Sequence, residues 1–278
     1  MTTSPITKSP VTRYLGRPAQ GNIAYDVQGT GPLVLLVPGM GDLRSAYRFL
    51  TPALLAAGYT VASTDLRGHG DSDMSFTSYG DADTAGDIEA LLLELGRPAA
   101  IIGNSMSAGS AVIVAAEHPQ LVEGLVLVGP FVRPPSTNAF ENLVFRAMMA
   151  RPWAAAAWKA YMPTLYAGVL PTDFTEYQQR VIASLKRPGY ASAFSLTTRT
   201  DHFLAGASLA SVHAPTLVVM GDKDPDFKNP KAEADWIATT LHGSAVMVPE
   251  AGHYPQSQQP ELVSAAIIDF LGGTNGRA

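Results

Sequence analysis

The sequence predicts an α/β protein with an eight-stranded, mostly parallel sheet and helices on both faces. Three observations predict it. Short apolar runs rich in β-branched residues recur along the 278 residues, and the later ones are almost wholly apolar, as parallel strands covered on both faces must be. Segments with helical spacing separate these runs, and such alternation implies a parallel sheet. One long stretch carries helix-like sequence only and reads as an insertion.

The elements follow in order. Residues 1–10 are rich in Thr, Ser and Pro, with one Lys and no apolar run. They are expected to be a disordered leader and not a secretory signal. Residues 13–15 and 22–27, joined by a turn at Ala19-Gln20-Gly21, are expected to pair antiparallel. Further strands are expected at 33–37, 60–63, 99–102, 125–128, 216–220 and 245–248. Helices are expected at 47–57, 82–95, 107–117, 235–241 and 260–271. Ile88, Leu91, Leu92 and Leu95 form the apolar stripe of the second. His118-Pro119 stops the third.

Residues 133–206 break the alternation. They open on Pro134-Pro135 and hold Trp153, Trp158, Met148, Met149, Tyr161, Met162, Tyr166, Phe174 and Tyr177. The stretch is expected to be a helical cap inserted after the sixth strand. The core then comprises 11–132 and 207–272, with a tail at 273–278. Most of the cap's apolar side chains are expected to pack against the core, and a minority to line a pocket.

Composition narrows the function. Hydrophobic residues make up 46% and charged residues 15%, with a formal net charge of -5 and no basic cluster. Nucleic-acid binding needs a basic face, so it is set aside. The chain has no cysteine, which excludes disulfides, thiolate metal sites and a cysteine nucleophile. That absence fits a reducing compartment, and a cytoplasmic location is expected. No apolar stretch approaches the ~20 residues that span a bilayer.

The chemistry centres on Gly103-Asn104-Ser105-Met106-Ser107-Ala108, directly after the run 99–102. A strand ending in so tight a turn needs small residues two before and two after its tip. It lifts the Ser105 hydroxyl out of the chain. A serine hydroxyl is a poor nucleophile without a base, usually a histidine oriented by a carboxylate. The acid candidates lie in Gly221-Asp222-Lys223-Asp224-Pro225-Asp226, after strand 216–220. Asp224 is chosen; Asp222 is nearer the strand end and Asp226 lies past a proline. Two of these three aspartates are expected only to cap backbone groups. The base is His253, in Glu250-Ala251-Gly252-His253-Tyr254-Pro255 after the last strand. His118, His213 and His242 read as helix-end or loop residues, His202 lies near the return from cap to core, and His69 belongs to a tight turn. Ser105, Asp224 and His253 each follow the C-terminal end of a strand, the edge where open α/β sheets bind ligands. Oxyanion donors are expected from the backbone N–H of Met106 and from Met40 in Pro38-Gly39-Met40-Gly41-Asp42.

These motifs resemble the α/β-hydrolase superfamily, over nearly the whole chain from residue 13 to 271. Asp65-Leu66-Arg67-Gly68-His69-Gly70-Asp71-Ser72 is similar to a turn after the fourth strand of many members. Two positions depart from the pattern. Many members carry His-Gly where this chain has Pro38-Gly39, and many carry glycine at Ser107. The Pro38 departure bears on how the oxyanion loop is braced, and the Ser107 hydroxyl is free to bond locally. The resemblance implies a cofactor-independent serine hydrolase with no metal site, acting on a carboxylic ester of a small, largely apolar molecule. The same triad also serves carbon–carbon bond or lactone hydrolysis, for which Arg133, Arg146, Arg151 and Arg199 are candidate holders of a substrate carboxylate. A ligand receptor that retains the triad but turns over little is the reading from outside enzymology.

Overall fold

The structure is a computed structural model that describes residues 10–134 and 139–275; most of the expected leader lies outside them. Eight strands form one sheet: β1 (Arg13–Arg17), β2 (Gly21–Gln28), β3 (Leu33–Val37), β4 (Thr60–Thr64), β5 (Ala99–Asn104), β6 (Val122–Val128), β7 (Thr216–Gly221) and β8 (Ser244–Val248). Their spatial order is β1-β2-β4-β3-β5-β6-β7-β8. β2 runs antiparallel to β1 and β4, and β3 to β8 are parallel. The eight expected strands are all present, with ends shifted by up to three residues.

Side-chain alternation builds a core on each face of the sheet. Leu35, Val37, Ile101, Leu125 and Leu127 face one way, against α2 (Asp81–Leu95), α3 (Met106–Glu117) and α9 (Pro230–Thr240). Val34, Leu36, Ile102, Val126 and Val128 face the other, against α1 (Leu50–Ala56) and α11 (Pro260–Asn275). Leu35 and Ile101 are fully buried; truncating either to Ala would cost about 2–5 kcal/mol.

Between β6 and β7 the described residues hold helices and no strand: α4 (Ala139–Met148), α5 (Ala154–Leu165), α6 (Phe174–Leu185), α7 (Tyr190–Thr197) and α8 (Phe203–Ser208). α5, α6 and α7 pack on one another, whereas α8 packs on α3 of the core. α8 therefore crosses residue 206, where the sequence reading ended the insertion. Pro163 lies inside α5 and lacks the N–H that would bond Lys159 O; Gln178 Nε2 from α6 donates to that carbonyl instead, at 2.9 Å.

Three helices differ from expectation. The one expected from residue 47 is split into a 3-10 turn at Arg44–Tyr47 and α1, because Tyr47 turns inward to bond Val37 O and Ile102 O. α9 begins five residues early, at Pro230. Asn229 caps it through Oδ1 and Ala232 N, a proline-at-first-turn signal that apolar spacing alone passed over. α11 continues through Gly272 and Gly273 to Asn275, so it takes in the first three residues of the expected tail. A one-turn helix, α10 (Pro255–Gln258), precedes it. Among the described residues no helix is long and apolar enough to cross a membrane.

Candidate active site

β5 passes into α3 through Ser105, whose backbone is at φ 58° and ψ −124°. A non-glycine residue there costs about 1–3 kcal/mol and persists only where its surroundings over-determine it. Here they do. Ser105 N–H donates to Val128 O at 2.9 Å, and its carbonyl accepts from Phe131 N and Ala108 N. A Cβ on Gly103 would stand 2.5 Å from Ser107 O, so the turn closes only over glycine. The Ser105 hydroxyl makes no hydrogen bond among the described residues. Catalytic contacts are often loose before substrate binds.

The neighbouring strand ends bring Asp224 and His253 together. His253 Nδ1 lies 2.8 Å from Asp224 Oδ2, and both residues are 2% exposed. Burial alone would lower the proton affinity of the imidazole. The carboxylates of Asp224 and Asp226 outweigh it and hold the His253 pKa at about 9. Asp226 Oδ2 stands 3.6 Å from the same nitrogen. Asp222 accepts from Ala251 N at 3.4 Å, a backbone-capping role. Asn104, the residue before Ser105, is fully buried at the end of an apolar strand, and its Nδ2 donates to Val128 O at 3.0 Å and to the His253 carbonyl at 3.3 Å.

The loop after β3 is held at Pro38, Gly41 and Asp42. Pro38 O accepts from Ser107 Oγ at 2.6 Å. Gly39 packs so closely that a Cβ would come 2.9 Å from Ser105 Cβ. Gly41 N–H donates to His69 Nε2 at 3.0 Å, and Gly41 O accepts from Trp158 Nε1 at 2.9 Å. Asp42 accepts from Leu43 N at 2.8 Å and from the Tyr177 hydroxyl. Its burial pushes the carboxyl pKa up to about 6. The Met40 N–H is left as a donor with no acceptor among the described residues. Met106 opens α3, where the first N–H groups have no intrahelical acceptor. Both open N–H groups thus lie in segments that adjoin Ser105, Met106 directly after it and Met40 after Gly39, which packs against it.

The other histidines separate from this group. His69 is neutral because burial lowers its pKa to about 4; Nδ1 donates to Arg67 O at 3.0 Å, which leaves Nε2 to accept from Gly41. His202 pairs with Asp81 at 2.7 Å, with Phe131 stacked on its ring. His118 makes a partly exposed contact of 3.3 Å with Glu89. Trp158, Tyr161 and Tyr177 belong to the site's surroundings yet give no sequence signal that sets them apart from other cap aromatics. Asn104 does give one, as a polar residue at the end of an apolar strand.

Asp224, Asp226 and His253 offer ligand atoms within 4.8 Å of one another. The 2.8 Å bond to Asp224 already engages the imidazole nitrogen on that side, so a cation would have to displace it. A cavity of about 480 Å³ lies beside Phe131, Asp226 and Phe227. A cleft of about 880 Å³ between Arg44, Asp65 and Arg187 is a separate feature and does not include Ser105, Asp224 or His253.

Residues 34–266 match the family model described as "Alpha/beta hydrolase family". The chain is 29% identical over 261 residues to 2-(acetamidomethylene)succinate hydrolase of Mesorhizobium japonicum, covering 90% of this chain and 92% of that protein. It is 30% identical over 249 residues to a pimeloyl-acyl-carrier-protein methyl ester esterase of Neisseria meningitidis, covering 86% and 93%. Among solved structures it is similar to a thermophilic esterase from Thermogutta terrifontis, with a TM-score of 0.80, 24% identity and coverage of 96% and 99%. It is also similar to a bromoperoxidase from Bacillus anthracis, with a TM-score of 0.81, 20% identity and coverage of 95% and 100%. The identities of these two solved structures speak to the fold.

Proposed function

The chain belongs to the alpha/beta hydrolase family, and from that premise we propose that it is a serine hydrolase cleaving a carboxylic ester of a small, largely apolar substrate. The observation that carries this reading is Ser105, held at positive φ at the start of α3, together with the 2.8 Å Asp224–His253 pair, to which the preceding residue Asn104 is tied through the His253 carbonyl at 3.3 Å.

In the proposed reaction Ser105 Oγ attacks the ester carbonyl carbon while His253 takes its proton. Asp224 holds the imidazole in the tautomer that leaves Nε2 free, and stabilises the imidazolium that forms. The Met40 and Met106 N–H groups receive the oxyanion. His253 returns the proton to the leaving alcohol, and a water then cleaves the acyl-enzyme by the same steps in reverse order. Helices α4 to α7 are the cap over this edge. Its apolar side chains divide: Trp158, Met162 and Phe194 are buried packing, whereas Phe140, Leu143, Val144 and Met148 of α4 are exposed.

Two observations favour an ester over the other readings. Arg133, Arg146, Arg151 and Arg199 are all exposed, and Arg133 is engaged by Glu233 at 3.0 Å. Carbon–carbon bond hydrolysis would favour a buried cation for a substrate carboxylate. The Neisseria relative, 30% identical, is by name a methyl ester esterase. The test is a panel of p-nitrophenyl esters with wild type and Ser105→Ala. Turnover lost in the variant supports the reading. Probe labelling at Ser105 with negligible turnover across the panel favours a receptor.

A further inference from the structure

α5 reaches three parts of the site. Trp158 and Tyr161, spaced i and i+3, lie along one side of the helix, and Leu165 contributes a carbonyl from its C-terminal end. Trp158 Nε1 donates to Gly41 O at 2.9 Å, the Tyr161 hydroxyl donates to Asp226 Oδ1 at 2.9 Å, and Leu165 O accepts from His253 N–H at 2.7 Å. The oxyanion loop, the acid loop and the base loop thus share one support from the cap.

Asp226 is the member of this group that a Ser-His-Asp triad does not use. Its Oδ1 takes the Tyr161 hydrogen bond, and its Oδ2 stands 3.6 Å from His253 Nδ1. That distance is an ion pair and not a hydrogen bond. An aspartate needed only to tether Tyr161 would have no reason to present its second oxygen to the imidazole. We propose that Asp226 is a positioning residue, a second carboxylate on His253 held in place by Tyr161, and that it sets the basicity of the proposed general base. The proposal rests on the reading of His253 as that base.

The physical argument is the sum of charges around one buried ring. Asp224 and Asp226 face His253 Nδ1, Asp42 contributes from the oxyanion loop, and the rings of Phe131 and Tyr254 close the remaining sides. Each carboxylate favours the imidazolium. Neutral His253 is thereby the stronger base, and it is this form that takes the Ser105 proton. The imidazolium formed as Ser105 attacks is stabilised by the same two charges. Tyr161 opposes the effect of burial on Asp226 and helps keep it ionised. A side chain of the cap thereby acts on the charge beside the base.

The test is an NMR titration of the His253 imidazole in wild type, Asp226→Asn, Asp226→Glu and Tyr161→Phe. Loss of the second charge lowers the His253 pKa by about one unit or more; Asp226→Glu stays near wild type and Tyr161→Phe falls between. The acid limb of kcat/KM on a p-nitrophenyl ester moves toward lower pH by the same amount. An unmoved titration in folded Asp226→Asn overturns the proposal; should that variant fail to fold, an unmoved titration in Tyr161→Phe does so. Fluorophosphonate labelling separates this from the underlying reading. If His253 shifts while Ser105 is never labelled, the nucleophile assignment fails and the Asp226–His253 coupling stands.

Discussion

The Ser107 hydroxyl donates a 2.6 Å hydrogen bond to the carbonyl of Pro38. These are the two positions where the chain departs from the common pattern of its family, and they meet. The serine two residues after Ser105 ties the start of α3 to the loop after β3. Ser107 is fully buried, so its loss would leave a carbonyl without that donor, at a cost of about 1–3 kcal/mol. Ser107→Ala is expected to lower kcat on a p-nitrophenyl ester roughly tenfold with little change in KM, because a loosened loop harms the transition state more than the ground state. Steady-state kinetics decide it; an unchanged kcat would mean that the other anchors hold the loop alone.

Gly39 packs that loop against Ser105. A Cβ there would meet Ser105 Cβ at 2.9 Å and Asn104 Oδ1 at 3.2 Å. Gly39→Ala is expected to fold, with activity reduced about a hundredfold or more, the scale of losing one oxyanion donor. Circular dichroism alongside kinetics checks both halves of that expectation.

The two carboxylates at His253 should separate by magnitude. Asp224 makes the 2.8 Å bond and Asp226 the 3.6 Å contact. Asp224→Asn is expected to reduce kcat by roughly 10³- to 10⁴-fold, since an amide favours the wrong tautomer of the base. Asp226→Asn is expected to lose far less at its own optimum pH. The reverse ranking would make Asp226 the acid.

Stability should carry the same signature. Folding raises the His253 pKa from 6.5 to about 9, so the native state holds an extra proton between those values. Its contribution is fully present below about pH 6.5 and is lost as pH rises through about 9. Urea denaturation midpoints are expected to fall across that window in wild type, and to fall less steeply in Asp224→Asn.

The placement of Ser105, Asp224 and His253 at strand ends is legible in the sequence because local constraints write it. A buried parallel strand must be apolar, the turn at Ser105 must be flanked by small residues, and loops after strands 5, 7 and 8 must carry whatever chemistry the sheet edge presents. The same locality explains the misses. Tyr161 meets Asp226 across 65 residues and Trp158 meets Gly41 across 117, and nothing in the spacing of cap aromatics distinguishes a donor to the site from a packing ring. Asp226 was visible as an alternative acid, but its standing beside Asp224 on one nitrogen depends on how the loop turns at Pro225. The brace of the loop after β3 by His69 and Ser107 likewise depends on contacts between elements, across 28 and 69 residues.

The central claim is that Ser105 is the nucleophile of an ester hydrolase. Its most direct test is mass-spectrometric mapping of a fluorophosphonate probe on wild type and Ser105→Ala, read beside p-nitrophenyl ester hydrolysis. The account predicts a single adduct on Ser105 in wild type, with labelling and hydrolysis both absent from the variant. Hydrolysis at the wild-type rate in Ser105→Ala would contradict it.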